Sequence, residues 1–426
     1  VLSSSIAASI LVYFFISLIG HPSQKHGLPF PVLMRMSMGL NGARYLSLLR
    51  SIVGIFMFGI QTYFISKSIT YLTRIIIYYI FDPQILENEF VLEFFLGLNV
   101  IDWFSLIVTF FIQFFLFTNG QRYNQGFLKF SAIFVYFGLI FFFIMLIAEN
   151  STQIFQSLKS NTTSTDLISK SNVMPFFILT GTIFSYFSIV LLNYGDFSRY
   201  VKTSRDLKIG NLFLFLNMII FSFLATTIVI GVDVLLNQKL IVVDQIMTRP
   251  MDIIGKIDNL YLTVYALIFI IFSSLSTNLI TNYVPTQNSI INFLPKNLEL
   301  KSAGILILIF GLITGSLWPS ILSQIEIIKL IDSLAAFFGP IFGVIIADYY
   351  LVKKEKVNHK DLFFIRLENE YIYSGGWNYK AVYSVLIGFI FSFSIIWNIN
   401  FEDLKTYSWI IGFVVSYIMY YLLNEK

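Results

Sequence analysis

Apolar runs of spanning length alternate with short polar connections along the whole chain, and they predict eleven membrane-crossing helices. The runs cover about 1–19, 51–71, 100–118, 127–148, 173–192, 212–235, 260–283, 303–320, 330–352, 381–397 and 408–423. Most connections are too short to be domains. The longest, at 81–93, 149–172, 237–259 and 353–380, are polar, so the chain is read as one transmembrane domain. Glycine and proline punctuate some runs, at Gly181, Gly195, Trp318-Pro319, Gly339-Pro340 and Gly343. Such residues mark either broken helices or close helix packing.

Composition agrees with the pattern. Hydrophobic residues make up 57% of 426 positions and charged ones 12%, with a mean hydropathy of +0.77. That combination excludes an ordinary soluble domain and a disordered chain. The absence of cysteine removes disulfides, thiolate metal sites and cysteine nucleophiles together. A net charge of +4, spread over loops, gives no case for a nucleic-acid partner. The first run opens at Val1 without a basic stretch before it, so no cleavable signal peptide is recognised, and the start without Met suggests truncation.

Charge orients the helices. Most of the 28 Lys and Arg residues fall on one side, including Lys25, Arg35, Arg44, Arg50, Arg122, Arg199, Lys353 and Lys380. Only Lys67, Arg74, Lys159, Lys170, Lys239, Arg249, Lys256, Lys329 and Lys405 fall on the other. The positive-inside rule makes the richer side cytoplasmic and puts Val1 outside.

One stretch carries unexpected polarity at membrane depth, Ser273-Ser-Leu-Ser276-Thr277-Asn-Leu-Ile-Thr-Asn282. On a helix Ser273, Ser276 and Thr277 share a face, and Asn282 lies about a turn and a half further on. Hydroxyl and main-chain oxygens suit a hard monovalent cation. The alternative is hydroxyls bonded to their own preceding carbonyls, as packing contacts. Lys67, Arg74, Asp102 and Asp332 lie near outer helix ends, where snorkelling is the expected behaviour. His21, His26 and His359 fall in cytoplasmic loops and are expected to stay apart, without the clustering of a metal site or proton relay.

Four separated stretches resemble the nucleobase:cation symporter family of hydantoin, allantoin, uracil and cytosine permeases. They are Gly20-His-Pro-Ser-Gln-Lys-His-Gly27-Leu-Pro29-Phe-Pro31, Phe58-Gly59-Ile-Gln61, Asn193-Tyr-Gly-Asp196-Phe-Ser-Arg199-Tyr200, and Gly339-Pro340-Ile-Phe-Gly343-Val-Ile-Ile-Ala347-Asp348. Their order and topological positions span nearly the whole chain. The resemblance implies an all-α, leucine-transporter-like fold of two inverted five-helix repeats plus two C-terminal helices. Residues 1–148 would hold the remainder of the first repeat, 173–352 the second, and 380–424 the last two helices. The family's first helix would then precede Val1.

The resemblance also implies roles. Ser276 and Thr277 match the family's cation-binding hydroxyl pair, and Ser273 sits where a main-chain carbonyl contributes, a set that fits sodium. Gln61 and Asn282 match amides that hydrogen-bond the substrate; an interhelical amide contact is the other reading. Met57 stands where several members carry a stacking Trp, and Phe187, with Tyr186 beside it, takes the place of the second aromatic wall. Asp196, Arg199 and Asp348 are read as local ion pairs or gate contacts at the cytoplasmic end.

The function expected is import of a nucleobase-like heterocycle by cation symport, with sodium preferred over protons as the coupling ion and no other cofactor. The alternative is a transport-dead fragment or substrate sensor on the same fold. An enzyme is not expected, because no HExxH, paired Asp motif or nucleophile with an adjacent base occurs. The chain is read as a monomer in the lipid of the cell membrane.

Overall fold

The computed structural model describes residues 1–160, 170–238, 259–324, 332–363 and 369–425. The predicted loops at 149–172, 237–259 and 353–380 lie partly outside these residues. So do Lys239, Arg249, Lys256 and Lys329 of the charge reading.

Among the described residues eleven helices are long and apolar enough to cross a membrane, matching the predicted number. They are α1 (Leu2–His26), α2 (Phe30–Ile80), α3 (Val100–Phe117), α4 (Gln121–Ala148), α5 (Val173–Asn193) and α6 (Ser204–Gly231). There follow α7 (Leu260–Phe293), α8 (Leu300–Leu322), α9 (Asp332–Val352), α10 (Tyr379–Trp397) and α11 (Ile399–Asn424).

Helices α1 and α2 outrun their apolar stretches on the side of the polar connection between them. In α1 the segment from Gly20 to His26, expected as loop, is helical and tolerates Pro22; it stops at Gly27, whose φ of 68° makes the left-handed cap. The helix continues because Gly20 and Ser23 pack on Tyr194 and Gly195, with no room for a larger side chain at either glycine. In α2 helix begins at Phe30, after Pro29, and breaks once, at Gly39 (φ 79°, ψ 172°). The polar turns on both sides of that break, up to residue 51, stay helical because their polar groups find partners. Arg44 Nε and Nη2 donate to Phe293 O at 3.2 Å, and Arg35 reaches Asn292 Oδ1.

Proline shapes α7. Its regular helix ends at Asn278, Leu279–Tyr283 forms one wider π turn, and Val284–Phe293 resumes the α-helix with Pro285 in its first turn. Pro285 has no N–H to give the carbonyl of Thr281, so the register slips where the ladder is already interrupted.

The glycines of α9 serve close packing rather than a break. A Cβ on Gly339 would lie 2.1 Å from Trp409 O, and one on Gly343 would lie 2.5 Å from Phe413 O. The helix runs unbroken from Phe338 to Ala347, and its interruptions fall to either side, at Ala336 and Phe337 and in the π turn Asp348–Val352.

The helices assemble into two groups. α1 packs on α5 and α6, while α2 packs on α3, α7 and α8. Two apolar cores hold them, the first of which also takes in the start of α2. One gathers Phe15, Phe184, Phe342 and Trp409 with buried residues of α2 and α10; the other gathers Phe58, Phe117, Leu279, Tyr283 and Ile307. Helices α9, α10 and α11 pack on one another and join the first core.

Candidate functional site

The predicted amides meet where α2 faces α7. Close approach of α2 to α8 sets the depth of this region: a Cβ on Gly59 would lie 2.7 Å from Gly311 O. On α7, Ser274, Asn278 and Asn282 recur every four residues and line the side toward α2.

Asn282 is buried, and its Nδ2 donates to Gln61 Oε1 and to Asn278 Oδ1, both at 2.9 Å. Gln61 Nε2 donates to Ser274 O at 3.2 Å. Asn278 Nδ2 reaches Phe58 O and Thr62 Oγ1 at 3.3 and 3.4 Å, and Thr62 Oγ1 lies 3.1 Å from Gln113 Oε1. Counting donors and acceptors leaves Asn282 Oδ1 and one Gln61 N–H unengaged. The two bonded amides thus offer one acceptor and one donor, the types of group that an imide or ureide edge requires.

The hydroxyl face lies one turn before. Ser276 Oγ and Thr277 Oγ1 both donate to Ser273 O at 2.9 Å. The back-bonded arrangement weighed from the sequence is therefore present. Each hydroxyl still keeps lone pairs for a cation, because donating its proton does not use them.

The walls are placed less uniformly. Met57 and Phe187 both pack against the first core, that of Phe15 and Trp409. Tyr186 is 73% exposed and turned away from that core, although its ring centroid lies 5.9 Å from Phe187.

Several expectations need correcting. The histidines do not stay apart: His26 Nδ1 lies 3.0 Å from His359 Nε2, and His26 Nε2 lies 3.2 Å from Tyr349 O–H. His21 approaches Glu355, which also pairs with Lys25 at 2.8 Å. Linear spacing concealed this, since the end of α1 folds against the segment after α9. Among the described residues no group of three ligating side chains could hold a metal ion.

Lys67 and Asp102 do not snorkel apart but pair at 2.9 Å, with Thr70 Oγ1 also donating to Asp102. Asp102 is buried, so the pair links α2 to α3.

Asp196 is not bonded to Arg199. It accepts from Phe30 N at 3.1 Å and from Asn193 Nδ2 at 3.1 Å, while Arg199 turns to the Tyr200 ring and hydroxyl. Burial pushes the Asp196 carboxyl up to about 6, against the pull of Arg199 and of these two hydrogen bonds. Asp348 accepts from Tyr420 O–H at 2.7 Å, with Lys353 Nζ 4.0 Å away.

Comparison with known proteins now bears on this geometry. The profile of a family described as permeases for cytosine and purines, uracil, thiamine and allantoin matches residues 1–412. The chain belongs to this permease family. The permease is 26% identical over 428 residues to the allantoin permease of Bacillus subtilis (strain 168), covering 99% of this chain and 83% of that one. It is 25% identical over 398 residues to the purine-uracil permease NCS1 of Arabidopsis thaliana, covering 91% of this chain and 62% of that one. In fold it is similar to Mhp1, a nucleobase-cation-symport-1 family transporter solved closed with bromovinylhydantoin bound. The TM-score is 0.69 at 17% identity, over 99% of this chain and 83% of Mhp1. The permease is therefore an all-helical, multi-pass membrane protein of the leucine-transporter-like fold.

Three polar residues of the network had no role from sequence. Asn278 lies inside the polar stretch and four residues before Asn282, a spacing that marks one helix face. Thr62 follows Gln61 directly. Gln113 carries no local signal; only the fold brings it in.

Proposed function

We propose that this permease imports a nucleobase-like heterocycle, of the uracil, cytosine, purine, allantoin or hydantoin kind, by symport with a cation, sodium rather than protons. The amide pair carries the reading. Gln61 and Asn282 come from different helices, are bonded to each other at 2.9 Å, and retain one free donor and one free acceptor. A planar ring with an N–H beside a C=O satisfies both, and Met57 and Phe187 offer apolar surface for its faces.

Cation coupling rests on Ser273, Ser276 and Thr277, which directly precede Asn278 on the same helix. Their oxygens suit a hard monovalent ion, and none of the three carries a carboxylate to bind a proton. An ion there would favour whichever state of α7 binds substrate better, which is the thermodynamic content of symport. Relatives named as an allantoin permease and a purine-uracil permease support this substrate class.

The test is uptake into proteoliposomes against a panel of uracil, cytosine, hypoxanthine, allantoin and benzylhydantoin, with and without sodium at fixed pH. Accumulation of one of these that needs sodium is expected. Equal uptake without sodium sinks sodium coupling, and no uptake of any of them favours a sensor.

A further inference from the structure

We propose that Arg50 is the gating residue of this permease, a side chain whose guanidinium ties α5 to α2 and α7 and closes the route from the amide pair to the Lys- and Arg-rich end. The inference rests on the transport reading above. Arg50 is 1% exposed, yet it lies at the joint between the two helix groups rather than within one.

Its three nitrogens bind three different partners. Nε donates to Asn193 Oδ1 at 2.6 Å, at the end of α5. Nη2 donates to Thr281 O at 3.1 Å, and Nη1 lies 3.5 Å from Thr286 Oγ1, both on α7. The Thr281 carbonyl is open to Arg50 because Pro285, four residues on, has no N–H. Space is reserved for the head group: a Cβ on Gly54 would lie 2.5 Å from Arg50 Nη1 and 1.9 Å from Thr286 Oγ1. Asn193 in turn holds Asp196, which also accepts from Phe30 N, so the joint continues to the start of α2.

Two further observations give the joint its role. Thr281 precedes Asn282, so Arg50 is fastened to the residue beside the amide pair. Beside it, a cleft of about 360 Å³ is lined by Phe117, Asn124, Asp196, Arg199, Val284 and Gln287, and so reaches Asp196, the partner of Asn193. Parting Asn193 from Arg50 would join that cleft to the amides. A guanidinium suits a joint that must open: its fork engages several acceptors when closed and is readily hydrated when water enters. A wholly apolar contact would resist wetting.

The chain has no cysteine, so one engineered thiol reports on opening. Val53, three residues from Arg50 and fully buried in the core of Phe15 and Trp409, becomes Val53→Cys in the full chain. Its reaction with a membrane-impermeant maleimide is timed from the Lys- and Arg-rich side in oriented vesicles. Arg50→Gln and, separately, Asn193→Ala are each expected to raise the labelling rate at least fivefold, and Arg50→Lys to fall between. Should Arg50→Gln not fold, Asn193→Ala decides alone, since it keeps the guanidinium. An unchanged rate in the folded variants overturns the proposal. Failure of the parent to take up any heterocycle, with the labelling shift intact, would count against the transport reading and not against the gate.

Discussion

Asn282 gives the sharpest test of the site. Asn282→Ala removes two donated hydrogen bonds and the free acceptor, each worth about 1 kcal/mol or somewhat more. Uptake is expected to fall at least tenfold, with surface expression unchanged; full uptake would reject the amide pair. Lys67 and Asp102 make a different claim, about stability. Asp102→Asn leaves Lys67 without its counter-charge and weakens the acceptor for Thr70, a loss of about 2 kcal/mol. Thermal unfolding in detergent should show it, and a double change of Lys67→Met with Asp102→Leu should recover most of the loss. These residues also mark what a sequence reveals. Gln61 and Asn282 were legible because each sits in a recognisable stretch, and polarity in an apolar run demands a reason. Arg50 was not, since a basic residue just beyond an apolar run reads as a loop charge, and only folding shows that its partners come from α5 and α7.

At the scale of elements, apolar runs identified all eleven helices but not their ends. Helix α2 extends some twenty residues before its apolar run because Arg35, Arg44 and Arg50 are satisfied by other helices, a compensation invisible in hydropathy. Its break at Gly39 needs a backbone that only glycine adopts readily, and Gly376 O would lie 2.6 Å from an added Cβ. Gly39→Ala is expected to lower the melting temperature by several degrees; an unchanged melt would show the break to be incidental. The π turn of α7 yields a prediction of opposite sign. Pro285→Ala restores the N–H that Thr281 O lacks, so the helix can close its register and compete with Arg50 for that carbonyl. Stability should hold or rise while uptake falls, because Asn282 turns away from Gln61. Loss of both together would instead mark Pro285 as merely structural.

Across the whole molecule, burial of Asp196 couples assembly to pH. Its carboxyl titrates near 6 in the fold and at 3.8 ordinarily, so the native state holds the proton over a wider range. Between about pH 4 and pH 6 the folded chain binds more protons than the unfolded one, and stability falls as pH rises through that window. Above it the dependence is level. Asp196→Asn should remove that slope from a series of melts, and persistence of the slope would place its origin elsewhere. The histidines at the end of α1 show the limit of reading loops from sequence at this scale: residues far apart in the chain, His26 and His359, become neighbours only after α1 and α9 are packed.

The glycine contacts of the last three helices have a mechanical consequence. Gly339 meets the Trp409 carbonyl, Gly388 meets that of Gly412, and Gly412 meets the ring of Pro340, so backbone rests on backbone with no flexible side chain between. Such a unit neither slides nor breathes easily. It would act as a keel: in hydrogen–deuterium exchange its amides should be the last in the protein to exchange, while those at the end of α5, beside Asn193, exchange early.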